Sequence, residues 1–268
     1  MVKRKQRYIL LAFSLMFIIF FLTDCAGKKE RIFTDYRKYY DKGVVAFEKK
    51  KWEKAIENFS MALLNSPGGE LADDAQFYLG ECYFNKKEYL LAISEYQQLT
   101  ERYTYSPLVE DAYYKIAVSY FKLSPKYQLA QESTLKSLQS LQDFLDAFPD
   151  SKYRGDVEEK IQGIRNKLAR KIYESGCLYR KLEEWDSAII YLDNLLEMYY
   201  DTKWASDTKL EKAHCLIKLR KFDEYHALIA EIRNEDDSQE SKGRLDYLRT
   251  LYKREQGKIE KERKKKQK

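Results

Sequence analysis

The residues of this sequence that could do chemistry are its thiols, imidazoles, paired carboxylates and aromatic rings. Cys82, Cys177 and Cys215 fall in helical stretches beside small residues. That is the setting of a packed thiol rather than a nucleophile, whose thiolate needs exposure and nearby positive charge. No CxxC or CxxH spacing occurs, and His214 and His226 lie twelve residues apart. His214 adjoins Cys215, but neighbours on a helix point to different faces, so no zinc site is expected. The pairs Glu158-Glu159 and Glu183-Glu184 lie in charged, solvated stretches. There is no Gly-rich phosphate loop and no GxSxG element. The expectation is a chain that is not an enzyme and holds no metal or dissociable cofactor.

The aromatic rings are another matter, because their spacing is regular. Counting from Tyr36, Asp73 and Glu110, the fifth positions are Tyr40, Phe77 and Tyr114, and the twelfth are Phe47, Phe84 and Phe121. Positions seven apart lie nearly two helical turns apart and share one face. Two rungs of rings repeated every 37 residues could line a groove that grips extended apolar or aromatic-ended peptides. Ring packing would supply the grip, and tyrosine hydroxyls would bond exposed peptide backbone. The competing reading is that the rings are packing between repeats. Against it, the core positions are separately occupied by Tyr39, Gly43, Ala46, Leu79, Gly80, Tyr83, Tyr113, Ala117 and Tyr120.

The elements that must position these rings follow from the same period. Gly43, Gly80 and Ala117 are 37 residues apart, as are Trp52 and Tyr89, Ala55 and Ala92, and Phe59 and Tyr96. A second set, Gly176 with Ala213, Tyr179 with Leu216, and Trp185 with Phe222, keeps that period. Each unit reads as two helices joined by a short turn, with small residues allowing close approach and a large ring filling the space under the turn. A unit cannot bury its own apolar face alone and must stack on the next. Ten Gly and four Pro in 268 residues fit such a chain and argue against many short strands. Four Cys exclude a disulfide scaffold, and 15% aromatic residues exclude a mostly disordered chain.

Gly43, Trp52, Ala55, Phe59 and Pro67 resemble the tetratricopeptide pattern. The implied fold is all-α, a right-handed superhelical array of about five helix pairs: 36–69, 73–107, 110–149, 169–202 and 206–233. About eight extra residues, near Ser124 to Ser133, lengthen the third pair, and Tyr225 stands where the fifth should have a small residue. Val157, Ile161, Ile164, Leu168 and Ile172 mark one amphipathic helix from about Asp156 to Lys181. The Lys/Asn clamp that some tetratricopeptide domains use for a chain-terminal carboxylate is not evident at the rung positions.

The N-terminus reads as an address. Lys3, Arg4, Lys5 and Arg7 precede an apolar stretch, Tyr8 to Leu22, too short for a membrane span and suited to a signal peptide. Leu22-Thr23-Asp24-Cys25 resembles a bacterial lipobox, with Asp24 where a small residue is usual. This resemblance implies lipid on Cys25, and Ala26 after it implies transport to the outer membrane. An uncleaved signal anchor is the alternative.

Phe144-Leu145-Asp146-Ala147-Phe148-Pro149-Asp150-Ser151-Lys152-Tyr153 resembles a segment of the BamD family, the tetratricopeptide lipoproteins of the outer-membrane β-barrel assembly machine. The likeness continues through Lys160-Ile161, Arg165 to Lys171, Tyr179, Trp185, Ala188-Ile189 and Tyr199 to Thr202, with Ile172 and Tyr200 as departures. It implies a scaffold without chemistry, lipid-anchored on the periplasmic side of the outer membrane. Residues 1–24 would be the signal peptide and 25–35 a tether. Units one to three, 36–152, would receive unfolded outer-membrane precursors. The linking helix with units four and five, 153–233, would dock on a BamA-like barrel protein and other assembly-machine subunits. Another envelope adaptor of this repeat class, serving pilus assembly or division, is the alternative.

The last segment, 234–268, reads as an acidic linker, a short amphipathic helix over Arg244–Tyr252 and a basic tail. The tail holds nine Lys or Arg against three Glu and would be solvated, or contact anionic lipid or an acidic partner. The formal charge of +6 therefore belongs to the export signal and the tail, not to the repeat body. A nucleic-acid partner is not expected.

Overall fold

The computed structural model describes residues 36–235 and 239–267. Cys25, the apolar stretch before it and residues 236–238 lie outside them. Among the described residues all regular structure is helical. The helices are α1 (36–48), α2 (Trp52–Asn65), α3 (Ala72–Asn85), α4 (Tyr89–Arg102), α5 (Val109–Leu123), α6 (Glu132–Ala147), α7 (Arg154–Lys181), α8 (Trp185–Met198), α9 (Ala205–Lys218), α10 (Phe222–Glu235) and α11 (Gln239–Lys266). They form two compact units. One runs to Ser124 and takes in Lys136–Ser151, and the other comprises Pro125–Leu135 and the chain from Lys152. The expected first half ran unbroken to residue 152. The inserted segment groups with the second unit instead, where Lys167 and Lys171 Nζ donate to the carbonyls of Pro125 (3.1 Å) and Leu129 (2.6 Å).

In the first unit the 37-residue period becomes packing. Ala55, Phe59 and Ala62 of α2 are buried on one face, and Ala92, Tyr96 and Leu99 repeat them on α4. A Cβ added to Gly43 would stand 2.7 Å from the Phe59 ring, and one on Gly80 would collide with the Tyr96 ring. The rings occupy the space a Cβ would need, which lets the paired helices approach more closely than side chains allow. The third pair substitutes Ala117, whose carbonyl accepts from Ser137 Oγ at 3.3 Å. Polar ties close the pairs and join them: Ser106 Oγ donates to Asp73 (2.6 Å) and Ser151 Oγ to Glu110 (2.5 Å) from the chain that ends each pair back to its start, and the Tyr103 hydroxyl donates to the Pro67 carbonyl of the preceding pair (2.7 Å).

The turns repeat as well. Lys50, Lys87, Glu183 and Arg220 all have φ between 53° and 65°, the left-handed region that favours glycine. Each donates its N–H three residues back while the next residue donates five back, as in Lys50 to Phe47 and Lys51 to Ala46. This Schellman closure ends α1, α3, α7 and α9, whereas α5 ends at Ser124 in an extended conformation. The following helices α2, α4 and α8 start without a side-chain cap.

In the second unit α7 begins two residues before the expected Asp156 and ends at Lys181. Gly176 repeats the close approach, with Leu192 of α8 at 2.7 Å from its added Cβ. Tyr225 fits without irregularity: it is 5% exposed and stacks on Tyr252 of α11 at 5.2 Å. The C-terminal helix extends well beyond the expected Arg244–Tyr252. Leu248 and Leu251 join the core formed by Leu210, Leu216, Ile217 and Ile229. Glu255 is buried against Lys218 and Lys258, and Arg220 forms a two-pronged pair with Glu262. The basic tail is thus helical and held by ion pairs as far as Glu262.

Candidate functional site

The six rung residues all lie on the first helix of a pair, in the first unit, and all are half-buried. Tyr40 and Phe47 meet the same ring, Tyr78, at 6.2 and 5.1 Å. Phe47 also packs edge-on against Trp52 (5.2 Å), and Phe84 repeats this geometry against Tyr89 (5.5 Å). Phe77 rests on Tyr96 at 5.6 Å and Tyr114 on Phe144 at 6.0 Å. Phe121, at the repeat position of Phe47 and Phe84, ends the second rung and is half-buried with them. Lys115 Nζ lies 4.8 Å from the Phe84 centroid. Each ring therefore has one part in repeat packing and one part open to solvent. Clefts of about 550 and 350 Å³ elsewhere are lined by other residues, so the rungs form a face rather than a pocket.

One sequence expectation about this face needs correction. Tyr113, read as core, is 39% exposed and only leans on Phe148 at 5.7 Å. Tyr39, also read as core, does pack against the core of the first pair while bordering the 550 Å³ cleft between α1 and α2. Tyr78 was missed. It stacks on Phe59 at 5.1 Å and 7°, linking the first pair to the second. The 37-residue register could not find it, because its repeat positions are Asp41 and Lys115.

The electrostatics favour neutral, packed groups. Burial first, then Asp74, pushes the Tyr40 hydroxyl up to about 12. Burial likewise raises the thiols of Cys82 and Cys215 to about 12, and Cys177 upward, so none is a ready nucleophile. The Tyr96 hydroxyl donates to Glu81 Oε1 at 2.5 Å, and Lys115 Nζ lies 2.6 Å from the same oxygen. His214 is stacked between Trp185 and Tyr247 rather than turned toward Cys215. Among the described residues no group of three or more His, Cys, Asp or Glu could hold a metal, and no helix is long and apolar enough to cross a membrane.

The chain is similar in sequence to known proteins. The YfiO family, described as outer membrane lipoprotein, matches residues 34–227. The outer membrane protein assembly factor BamD of Rickettsia prowazekii (strain Madrid E) is 27% identical over 191 residues, covering 70% of this chain and 76% of that protein. BamD of Helicobacter pylori (strain ATCC 700392 / 26695) is 26% identical over 212 residues, covering 75% and 91%. Among solved structures, the tetratricopeptide domain of P58(IPK) aligns with 83% of this chain and 67% of its own at 15% identity and a TM-score of 0.42. With the family match spanning most of the chain, this protein belongs to the YfiO family of outer-membrane lipoproteins, the family of the BamD assembly factors.

Proposed function

We propose that the chain is an outer-membrane protein assembly factor: a non-catalytic scaffold, lipid-anchored through Cys25 on the periplasmic side of the outer membrane. It binds unfolded β-barrel precursors with the first unit and docks on a BamA-type insertase with the second. The observation that carries the binding role is the double rung of half-exposed rings at a 37-residue period. Each ring is held by a neighbour, so the face is ordered before a peptide arrives and little entropy is lost on binding. The family match and the assembly-factor relatives support the setting. The apolar stretch 8–22 followed by Cys25 supports the anchor.

The test is purification of the tagged full chain from solubilised envelopes, with a photo-crosslinker at position 84 or 121. A BamA-type barrel protein should co-purify, and the crosslinks should fall on unfolded barrel precursors. Recovery of pilus or division proteins in place of the barrel would overturn the assembly role. Palmitate labelling should vanish in Cys25→Ala, and labelling that survives would remove the anchor from the proposal.

A further inference from the structure

The second unit contains a cleft remote in sequence from the aromatic rungs. It has a volume of about 450 Å³ and three walls. Gly163, Lys167 and Arg170 line it on successive turns of α7. Lys126 and Tyr127 come from the segment after α5, and Lys203 and Trp204 from the turn before α9. Four cationic side chains thus line one cleft, and no carboxylate does. Among the described residues neither Lys126 nor Lys203 has an acidic group within ion-pair distance, and the Nε of Arg170 is 3.7 Å from Glu174. Such uncompensated like charge is unfavourable unless an anion completes it.

The walls are built, not incidental. Arg170 lies over the Tyr127 ring at 4.1 Å and the Trp204 ring at 5.7 Å, so two aromatic faces hold the guanidinium. Lys203 Nζ lies 5.6 Å from the Trp204 centroid. The turn carrying Lys203 is tied to α7 three times. Gln162 donates to the Asp201 carbonyl (3.0 Å), Arg165 grips the Asp201 carboxylate, and Asn166 Oδ1 accepts from the Lys203 N–H (3.2 Å). Gln131 and Lys171 tie down the carbonyls of Lys126 and Leu129. Burial lowers the Lys167 pKa, as expected for a cation partly withdrawn from water.

Gly163 points the same way. Gly176, further along α7, is explained by Leu192 pressed against it, whereas a Cβ on Gly163 would meet nothing within 4 Å. Glycine inside a helix costs about 1 kcal/mol relative to alanine. Packing does not require it here, and its effect is to leave the cleft floor open.

We propose that this cleft binds a phosphate ester. A phosphate carries up to two charges and presents oxygens in several directions, which suits donors converging from three separate elements. A carboxylate is planar, singly charged and satisfied by one arginine fork. The cleft is much larger than a bare phosphate ion, so an organic body accompanies the charged group. The ester has two sources, a soluble small molecule or an anionic lipid headgroup.

Calorimetric titration of the full chain in mild detergent tests this. The probes are glycerol phosphate, succinate, and phosphatidylcholine vesicles with and without phosphatidic acid. Glycerol phosphate or the phosphatidic acid vesicles should bind, and succinate should bind far more weakly. Lys126→Gln combined with Lys203→Gln, and separately Gly163→Leu, should each weaken binding about tenfold or more. Gly163→Leu should keep or raise the melting temperature, because its side chain enters empty space and favours the helix. Binding by glycerol phosphate alone assigns a soluble ester, and binding by vesicles assigns a headgroup. Three results would overturn the proposal: no phosphate probe binding, affinity unchanged in both variants, or succinate binding as tightly as glycerol phosphate.

Discussion

Gly43 lies so close beneath the Phe59 ring that a Cβ there would stand 2.7 Å from ring carbons Cδ1 and Cε1. The same relationship recurs sixteen residues apart between Gly80 and Tyr96 and between Gly176 and Leu192. Alanine is the better helix former by about 1 kcal/mol. Gly43→Ala should nevertheless destabilise by about 1–3 kcal/mol, because the ring is fully buried and has nowhere to move. Gly163→Ala, where the space is open, should stabilise by up to about 1 kcal/mol. Urea unfolding of the two variants decides this, and equal shifts of one sign would contradict it.

The four left-handed turn residues make a second prediction. A side chain in that conformation costs about 1–2 kcal/mol that glycine does not, offset in part by the greater freedom of glycine in the unfolded chain. Lys87→Gly and Arg220→Gly both place glycine at a Schellman position. Lys87→Gly should stabilise by about 0.5–1 kcal/mol. Arg220→Gly should gain less, because it also gives up the pair with Glu262. A lower denaturation midpoint in Lys87→Gly would refute the assignment.

His214 predicts how stability depends on pH. It is stacked between Trp185 at 5.8 Å and Tyr247 at 5.9 Å. Burial first, then the charges of Arg180 and Lys218, push its pKa down to about 4. Arg244 and Glu211 face the same cleft. The folded pKa lies below the unfolded value of about 6.5. The stabilisation is therefore present above pH 6.5 and is lost as pH falls toward 4, on the order of 2–3 kcal/mol. His214→Phe should flatten that part of the profile while leaving the acid loss from Asp201, whose pKa is lowered by its bond to Arg165. Denaturation curves across this range with identical slopes in both proteins would contradict it.

The rung proposal makes a prediction about binding. Phe84 packs on Tyr89 and under Lys115, so truncation to alanine would confound folding with function. Phe84→Leu keeps most of the volume but removes the aromatic face. Affinity for a peptide ending in an aromatic strand segment should fall severalfold, by about 0.5–1.5 kcal/mol, with the melting temperature nearly unchanged. Unchanged affinity in this variant and in Phe121→Leu would make the rungs packing alone.

Much of this molecule was written in a single number. The 37-residue period placed the helix pairs, the close-approach glycines and the rings above them, because a repeated contact needs the same residue type at the same interval. The period was silent wherever a contact is made once. Tyr78 has no aromatic counterpart, yet it joins two helix pairs. The left-handed turns carry Lys, Glu and Arg rather than Gly, so no turn signal marks them. The sequence by itself determined the repeat and the family resemblance, both of which depend on local spacing. Only the tertiary structure decided that each rung ring is half packing and half surface. Only it showed that the inserted segment joins the second unit and that the basic tail is a helix docked through Leu248, Leu251 and Glu255. The reason is physical: these outcomes depend on which surfaces meet across many residues, and burial there overrides what the local charge pattern suggests.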